Sequence, residues 1–246
     1  FTPPNLLQYL IYKTVLDKTE VKVLLNGQGA DELFGGYSLH YDLLFTQHLA
    51  TANLKSFIKE VSLYKKYRNP NKKYFDRYNV INALKNLNND RYFNEVTSKE
   101  LSEVSLREYL KYDDRMSMAF GLESRSPFLD YRLVQFAFSL PVNFKISNFK
   151  NKYLVRKYAK MRTNMPDSII NRKDKMGFVS PQMKWQSSEL KNEFDNIFRE
   201  ISKNGLSSFT NEKEVVNRYK NFQSGNVTDW AYIFRVYSFM KWKNSF

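Results

Sequence analysis

The sequence of 246 residues contains no cysteine and only two histidines, His40 and His48. The missing thiols exclude disulfides, thiolate metal sites and a cysteine nucleophile within this chain. Neither histidine has a carboxylate or a second histidine at the spacing of metal ligands, so we assign no role to either. Any chemistry must therefore come from other side chains.

Long apolar runs are also missing, since none approaches the roughly 20 residues that a membrane-spanning helix needs. The chain begins with FTPPNLLQYL, which lacks the basic start and the cleavage site of a signal peptide. These absences favour a soluble, cytoplasmic protein without a membrane partner. The first residue is not methionine, which suggests that the authentic N-terminus lies elsewhere.

Acidic residues are fewer than basic ones, with 25 Asp and Glu against 39 Lys and Arg and a formal net charge of +14. This charge favours anionic partners such as phosphates or nucleic acid. Lys, Asn, Tyr, Ile and Phe are all abundant, however, as in a biased coding composition, and most lysines are then expected on solvated faces. A nucleic-acid partner is therefore not expected from the charge. The hydrophobic content of 42% is sufficient for a core.

Glycine is scarce, yet four of the eight glycines fall within ten positions of the segment 21–37, VKVLLNGQGADELFGGY. The apolar run before them predicts a short buried strand, and apolar residues at helical spacing between positions 6 and 15 predict a preceding helix. A helix, a strand and a glycine loop in this order indicate a parallel α/β sheet. Such sheets bind ligands at the carboxyl ends of their strands, which directs attention to residues 26–31.

The glycine loop has two interpretations. Gly27 and Gly29 would let the backbone approach a nucleotide closely and present amides to it, and Asp31 could supply an oxygen ligand to the Mg²⁺ that accompanies ATP. Alternatively, the loop is an ordinary strand-to-helix turn in which Asp31 caps the helix. Gly35 and Gly36 are expected to end a single helical turn or to permit tight packing.

The remainder of the chain shows helical patterns and no second convincing strand. Thr97 and Glu100 have the spacing of a capping box, and Asp130 is expected to cap a helix that ends at Pro141. Further helices are predicted over residues 53–67, 80–87, 150–162, 189–201 and 229–242.

Two further segments carry concentrated charge. Residues 112–130, YDDRMSMAFGLESRSPFLD, place six charged side chains among apolar ones, and most of these charges are expected in a buried ion network. Residues 170–181, INRKDKMGFVSP, place Arg172, Lys173 and Lys175 before Gly177 in a predicted loop. Cations on such a loop could close over phosphates or stabilise a transition state, although a solvated basic loop has the same spacing.

Three segments together resemble the synthetase domain of glutamine-hydrolysing asparagine synthetases. They are LLNGQGADELFGGY, DDRMSMAFGLESRSPFLDYRLVQFAFSLP and NRKDKMGFVSP, which Trp185 follows. Their order and separation are similar to that family over roughly residues 5–185, and the helical tail over residues 186–246 is also similar. The resemblance implies that the whole chain, 1–246, is the C-terminal portion of such a synthetase domain.

The resemblance implies an α/β fold with a Rossmann-like core of the ATP pyrophosphatase type, here truncated at its N-terminal side and mostly helical. In the family, Mg-ATP adenylates the side-chain carboxylate of aspartate, pyrophosphate leaves, and ammonia attacks β-aspartyl-AMP to give asparagine. Activation is needed because a carboxylate is a poor electrophile, whereas AMP leaves readily. The implied cofactors are ATP and Mg²⁺, and the implied partners are aspartate and glutamine-derived ammonia. A homodimer is one option for the oligomeric state.

Residue by residue, the resemblance assigns Asn26 and Gly27 to the AMP portion, although the family often has serine in place of Asn26. Gln28 and Gly29 belong to the same nucleotide-binding loop, and Asp31 looks like the magnesium carboxylate. A catalytic lysine balances charge on the phosphates and the intermediate. The candidates for it are Lys175, the better match, and Lys173, because the local alignment can shift by two positions. A mainly structural role behind the site is implied for Asp114, Arg115, Glu123 and Arg125.

Two departures from the family pattern limit these implications. Gln28 stands where well-studied asparagine synthetases have a glutamate suited to accept a proton from the attacking amine, and a glutamine amide cannot act as a base at neutral pH. The family's pyrophosphate loop, Ser-Gly-Gly-x-Asp-Ser, is absent from the 246 residues, as is the cysteine with which the glutaminase domain begins. The chain alone is therefore expected to be inactive, with the ammonia source on another domain or subunit.

Two alternatives stay open beside asparagine synthesis. One is a related enzyme that makes lactams, cyclises peptides or amidates sugars, and therefore adenylates a different carboxylate. The other is a non-catalytic remnant that binds nucleotide, RNA or a partner subunit. The first keeps the adenylation chemistry of the glycine loop, whereas the second does not use it.

Overall fold

The computed structural model of the chain describes residues 3–67, 77–103, 105–172, 177, 181–201 and 210–245. The chain divides into two compact units. We call Val15–Met176 the sheet unit, and Phe1–Thr14 together with Gly177–Phe246 the helical unit. No helix within the described ranges is long and apolar enough to cross a membrane.

The sheet consists of two parallel strands within the described residues. The predicted strand is present as β1 (Val23–Leu25), and it pairs with β2 (Glu123–Arg125) so that Leu24 lies opposite Ser124. The prediction of no second strand is therefore wrong. Glu-Ser-Arg is too short and too polar to show a strand pattern, and it becomes extended because it pairs with β1.

One face of β1 is exposed, although its apolar sequence predicts a buried strand. Val23 and Leu25 expose 40% and 72% of their surface, so the expectation of a buried strand is wrong for these two residues. Leu24 points to the opposite face and is half-buried. Parallel sheets are usually covered on both faces, whereas the described part of the sheet unit covers only one face of β1.

Helices make up most of both units, and the predicted helices are confirmed to within a few residues. Helix α1 (Pro3–Lys18) crosses the division between the units. The described helices of the sheet unit are α2 (Ala30–Phe34), α3 (Leu39–Ala50), α4 (Leu54–Tyr67), α5 (Arg77–Lys85), α6 (Tyr92–Glu103), α7 (Ser105–Met118), α8 (Tyr131–Ser139), α9 (Val142–Lys145), α10 (Tyr153–Arg162) and α11 (Asp167–Ile170). Those of the helical unit are α12 (Gln182–Ser187), α13 (Lys191–Arg199), α14 (Glu212–Gln223) and α15 (Trp230–Lys243).

The two predicted helix caps have different outcomes. Asp130 caps α8 as predicted, because its carboxylate accepts a hydrogen bond of 2.9 Å from a backbone N–H two residues later. The capping box is wrong, since Thr97 lies inside α6 and its hydroxyl donates to the Phe93 carbonyl at 2.9 Å. Glu100 instead contacts His40, with Oε2 and Nε2 2.8 Å apart. The same spacing occurs in a helix interior, where threonine can bond back to the preceding turn.

Aromatic rings form the centre of the sheet unit and fix the turn before α10. Tyr41 packs edge to face on Tyr64, and Phe149 stacks on Tyr41 with ring centroids 5.5 Å apart. Asn148 and Phe149 have positive φ angles of 52° and 60°, which are costly for non-glycine residues. The buried carboxylate of Glu60 offsets this cost, because it accepts their backbone N–H groups at 2.8 and 3.0 Å.

The helical unit has an aromatic core of its own. Phe194 of α13 stacks on Tyr237 of α15 with centroids 4.0 Å apart, and Phe198 stacks on Tyr219 of α14 at 4.1 Å. Tyr219 also donates its hydroxyl to Asp195 at 2.8 Å. The aromatic content predicted for the last helix therefore serves to join α13, α14 and α15.

Lys145, at the end of α9, is a buried cation without a carboxylate partner among the described residues. Its side chain is fully buried, and Nζ lies 4.8 Å from the ring centroid of Phe138 and 5.7 Å from that of Phe93. Burial lowers the pKa of Lys145 to about 8. The aromatic faces compensate only part of the lost hydration, so the charged form opposes folding.

We expect Lys145→Met to raise the free energy of unfolding at pH 7 by up to about 3 kcal/mol, since one pKa unit corresponds to about 1.4 kcal/mol. The unfolded chain binds this proton more tightly than the folded chain. Wild type therefore gains stability as pH rises from about 8 to about 10.5, and the advantage of the variant shrinks over that window. Urea unfolding at pH 7 and pH 9.5 measures both effects, with Lys59→Met on the exposed face of α4 as the control. Equal stabilities of the Lys145 variant and wild type at pH 7 would contradict this explanation.

Candidate functional site

The glycine loop lies between the carboxyl end of β1 and the start of α2. It brings together Asn26, Gly27, Gln28, Gly29 and Asp31, the predicted site residues that the structure describes. Gly27 is exposed, Gln28 and Asp31 are half-buried, and Gly29 is buried. The loop thus occupies the position at which open α/β sheets bind ligands.

The carboxamide of Asn26 forms four hydrogen bonds and ties the loop to two other segments. Its Nδ2 donates to Asp113 Oδ2 at 2.8 Å and to Ser124 Oγ at 2.9 Å. Its Oδ1 accepts from Ser126 Oγ at 2.8 Å and from the backbone N–H of Gln28 at 3.0 Å. Both ends of the amide are therefore engaged within the protein, and Asn26 fixes the shape of the loop. Sequence reasoning did not identify Ser124 or Ser126 as site residues, because nothing in the short polar segment that contains them indicates what it will contact.

Gly29 allows the turn Pro127–Leu129 to approach the loop closely. It precedes α2 with a φ angle of 88°, in the left-handed region that favours glycine. A methyl group at this position would overlap the side chain of Leu129. The glycine therefore joins the first motif to the SPFLD portion of the second.

Gly35 and Gly36 end α2 as predicted, and Gly36 also makes room for Asp31. Gly35 has a φ angle of 70°, and its N–H bonds to the carbonyl of Asp31. A methyl group at Gly36 would overlap Asp31 Oδ1 and crowd Lys152 Cε. Both functions proposed for the glycine pair, helix termination and tight packing, are confirmed.

Lys152 forms an ion pair with the Asp31 carboxylate. Its Nζ lies 3.1 Å from Asp31 Oδ1, and the two side chains are 27% and 21% exposed. Asp31 lies within the first turn of α2, and the cap position belongs to Gly29, so the helix-cap interpretation of Asp31 is wrong. A partly exposed pair of this kind contributes on the order of 1 kcal/mol, so a divalent cation could replace the ammonium.

The segment before α10 holds Lys152 in place. Lys152 has a φ angle of 51°, and its backbone N–H donates to the Phe34 carbonyl at 3.0 Å. Asn151 Nδ2 donates to the Gly36 carbonyl at 3.0 Å, and Arg156 donates to the backbone and side-chain oxygens of Asn151. Sequence reasoning missed Lys152, because its partner lies far away in the chain and no local spacing relates the two.

Asp31 suits a Mg²⁺ ion that is held mainly by phosphates. Proteins commonly bind Mg²⁺ through one or two carboxylates together with substrate phosphates and waters. Asp31 supplies one partly exposed carboxylate, and the described ranges contain no group of three side chains that could hold a metal by themselves. The residues present therefore fit a metal that arrives with a nucleotide better than a metal held by protein alone.

Gln28 has a fixed backbone and an available side chain. Its N–H donates to Asn26 Oδ1, whereas its carboxamide forms no hydrogen bond with any residue that the structure describes. The side chain is therefore able to contact a ligand. It can donate or accept a hydrogen bond but cannot take up a proton at neutral pH.

Hydrogen bonds among polar side chains link α2 to the residues that follow it and to α6. Tyr37 donates its hydroxyl to Glu32 Oε1 at 2.7 Å, and burial together with this carboxylate raises the pKa of Tyr37 well above its usual range. His40 is fully buried between Glu100 Oε2 at 2.8 Å and the backbone N–H of Tyr37 at 3.4 Å. His48 is also buried, and burial lowers its pKa. Both histidines therefore have structural positions.

The second charged segment is largely on the surface, so the predicted buried ion network is wrong. Glu123 and Arg125 pair at 2.7 Å on β2 with 57% and 60% of their side chains exposed, and Asp114 and Arg115 are exposed on α7. Only Asp113, among the carboxylates of this segment, is buried. Adjacent positions on a helix or strand face different sides, so neighbouring charges cannot all enter the core.

Lys173 and Lys175, the two candidates for the catalytic lysine, lie outside the described residues. Their assignment therefore stays a prediction. The described chain before them ends at Arg172, which follows the short helix α11.

Comparison with known proteins agrees with the three motifs. The family model for asparagine synthase matches residues 2–244. The chain belongs to the asparagine synthase family. It is 28% identical to asparagine synthetase [glutamine-hydrolyzing] 1 of Bacillus subtilis, over 92% of this chain and 40% of the relative. A putative asparagine synthetase [glutamine-hydrolyzing] 1 of Methanocaldococcus jannaschii is 30% identical over 61% of this chain, and the asparagine synthetase [glutamine-hydrolyzing] of Gallus gallus is 26% identical over 73%.

The chain spans less than half of the length of these relatives. The aligned shares are 40% of the Bacillus subtilis protein, 19% of the Methanocaldococcus jannaschii protein and 25% of the Gallus gallus protein. The family that the sequence motifs indicate is thus confirmed, together with an α/β fold that is mostly helical and contains a small parallel sheet.

We expect Gly36→Ala to lower the free energy of unfolding by about 1–3 kcal/mol, because the added methyl group forces Asp31 and Lys152 apart in a closely packed place. Gly27→Ala is the matched control, since a methyl group there meets no atom within 4 Å. It should change the stability by less than about 0.5 kcal/mol. Urea unfolding of both variants measures the difference. Equal effects would show that Gly36 does not make room for the ion pair.

Proposed function

We propose that this chain is the C-terminal part of an ATP-dependent ligase that forms amide bonds, most simply asparagine from aspartate and ammonia. The observation that carries the proposal is the loop at the end of β1, with Lys152 Nζ 3.1 Å from Asp31 Oδ1, in a member of the asparagine synthase family. The names of the relatives support glutamine as the source of ammonia. In this proposal the sheet unit contributes to a Rossmann-like ATP pyrophosphatase core, with motifs over about residues 1–185 and a helical tail over 186–246.

The site residues would have different roles in the binding of Mg-ATP. Asp31 would hold Mg²⁺, which when bound neutralises charge on the phosphates and assists their displacement. Lys152, released from Asp31, would donate to phosphate oxygens. The exposed backbone at Gly27 would approach the AMP portion, while Asn26 keeps the loop in shape. Lys175, or else Lys173, would balance charge on the intermediate.

The reaction would proceed in two displacements. A carboxylate oxygen of the substrate attacks the α-phosphorus of ATP, and the bond to pyrophosphate breaks to leave an acyl-AMP. The nitrogen of ammonia then attacks the acyl carbon, the bond to the AMP oxygen breaks, and the new amide nitrogen loses a proton. Gln28 could hydrogen-bond the attacking amine but could not accept this proton, which would pass to water or to another group.

The glutamine at position 28 also favours a second candidate of the same reaction class. A related ligase would adenylate another carboxylate and use another amine, as in the formation of lactams, cyclic peptides or amidated sugars. Both candidates need a pyrophosphate loop that the 246 residues lack. Asparagine synthesis from glutamine needs a glutaminase as well, either on the same polypeptide or on a separate subunit. A homodimer is compatible with either arrangement.

Exchange of labelled pyrophosphate into ATP tests the adenylation step, and it should be measured on the full-length protein. We expect Asp31→Asn to slow the exchange by at least ~100-fold, because one preorganised charge at a reacting phosphate is worth about that much. Asp17→Asn, at an exposed position of α1, removes the same charge and should leave the rate unchanged. Equal rates for the Asp31 variant and wild type would exclude Asp31 from the reaction.

The carboxylate that supports the exchange separates the candidates. Stimulation by aspartate alone supports asparagine synthesis, whereas stimulation by another carboxylate supports the related ligase. Nucleotide binding without exchange for any carboxylate would contradict both and would favour a non-catalytic binding protein.

A further inference from the structure

A cleft between α10 and α11 is lined by four cationic side chains, and no carboxylate is among its described lining residues. Its volume is about 160 Å³, and all of its lining residues belong to the sheet unit. The polar residues that line it are Lys150, Tyr153, Arg156, Lys157, Lys160 and Asn171. Four positive charges around one small space, with no carboxylate on the part of its lining that the structure describes, need an explanation.

Helical spacing brings most of these side chains together. Tyr153, Arg156, Lys157 and Lys160 recur at intervals of three and four residues, so they share one face of α10. Arg156 donates to the carbonyl of Ile170 at 2.7 Å, which holds the end of α11 against this face. The cleft is therefore built from two helices that are joined by a hydrogen bond.

Among the described residues, two of the cations have only uncharged oxygens as hydrogen-bond acceptors. Arg156 donates to the Ile170 carbonyl and to the backbone and side-chain oxygens of Asn151. Lys150 Nζ donates to Asn171 Oδ1 at 3.0 Å. A guanidinium has five N–H donors and an ammonium has three, so both groups retain donors for a ligand.

The other two cations are hardly neutralised. Lys160 Nζ lies 3.9 Å from Asp167 Oδ1, and both side chains are more than half exposed, so their attraction is weak. Lys157 forms no ion pair with any residue within the described ranges. An anion in the cleft would relieve the mutual repulsion of all four positive charges.

We propose that this cleft binds a phosphate-class anion, either inorganic phosphate or the phosphate group of a small phosphomonoester. A volume of about 160 Å³ corresponds to roughly five water molecules at about 30 Å³ each, which is enough for one phosphate group. Charge-assisted hydrogen bonds from lysine and arginine are the contacts that phosphate prefers. The proposal does not depend on the ligase activity, because the cleft is formed without Asp31 or the glycine loop.

Titration with inorganic phosphate at low ionic strength, followed by calorimetry and ³¹P NMR, tests this site on the whole chain. We expect saturable binding that Lys157→Gln with Lys160→Gln weakens by about tenfold or more, because two charge-assisted contacts are lost. The matched control is Lys55→Gln with Lys59→Gln on the exposed face of α4, which removes the same net charge and should change the affinity less than about twofold. Glycerol phosphate in a parallel titration distinguishes a phosphomonoester from free phosphate as the preferred ligand.

Three results would overturn the proposal. They are the absence of saturable phosphate binding, equal weakening by both double variants, and loss of binding in Lys152→Gln with retention in the α10 double variant. The last result would assign the anion to the glycine loop, where Lys152 lies beside Asp31. Binding of a single-stranded RNA oligomer with the predicted sensitivity, but not of phosphate, would identify the face of α10 as a nucleic-acid surface instead.

Discussion

The carboxamide of Asn26 joins parts of the chain that are far apart in sequence, and the geometry of the candidate site depends on it. A two-stranded parallel sheet gains little stability by itself. Asn26 adds four hydrogen bonds at the end of that sheet, to α7, to β2, to the residue after β2 and to the loop backbone. Because each unmet bond of a partly buried amide costs about 1–3 kcal/mol, the four partners together enforce one loop conformation.

The electrostatics of the site depends on two glycines, Gly29 and Gly36. Gly29 lets the turn Pro127–Leu129 approach, and Gly36 lets a carboxylate and an ammonium lie against the backbone. The ammonium reaches this position because the buried carboxylate of Glu60 stabilises the turn at residues 148–149, from which the chain enters α10. The core of the sheet unit thus determines where Lys152 meets Asp31.

The sequence was sufficient to predict the structural features that depend on residues close together in the chain. Helical spacing identified the long helices, the apolar run identified β1, and the glycine pair identified the end of α2. Contacts between distant segments were not predictable in this way, which is why β2 and Lys152 were missed. The buried ion network was expected from composition alone, and composition does not say which side of a helix or strand a charge occupies. The family could be identified because the residue identities within the three motifs, and the order of the motifs, carry more information than the spacing of residue types.

A crystal structure of the full-length protein with Mn²⁺ and a non-hydrolysable ATP analogue, with anomalous scattering used to locate the metal, tests the site most directly. We predict an anomalous peak that places Mn²⁺ at the Asp31 carboxylate and at phosphate oxygens. Lys152 Nζ should have moved from Asp31 towards the phosphates. A nucleotide bound elsewhere, with the Asp31–Lys152 pair intact and no metal beside it, would contradict the proposal that this loop binds Mg-ATP.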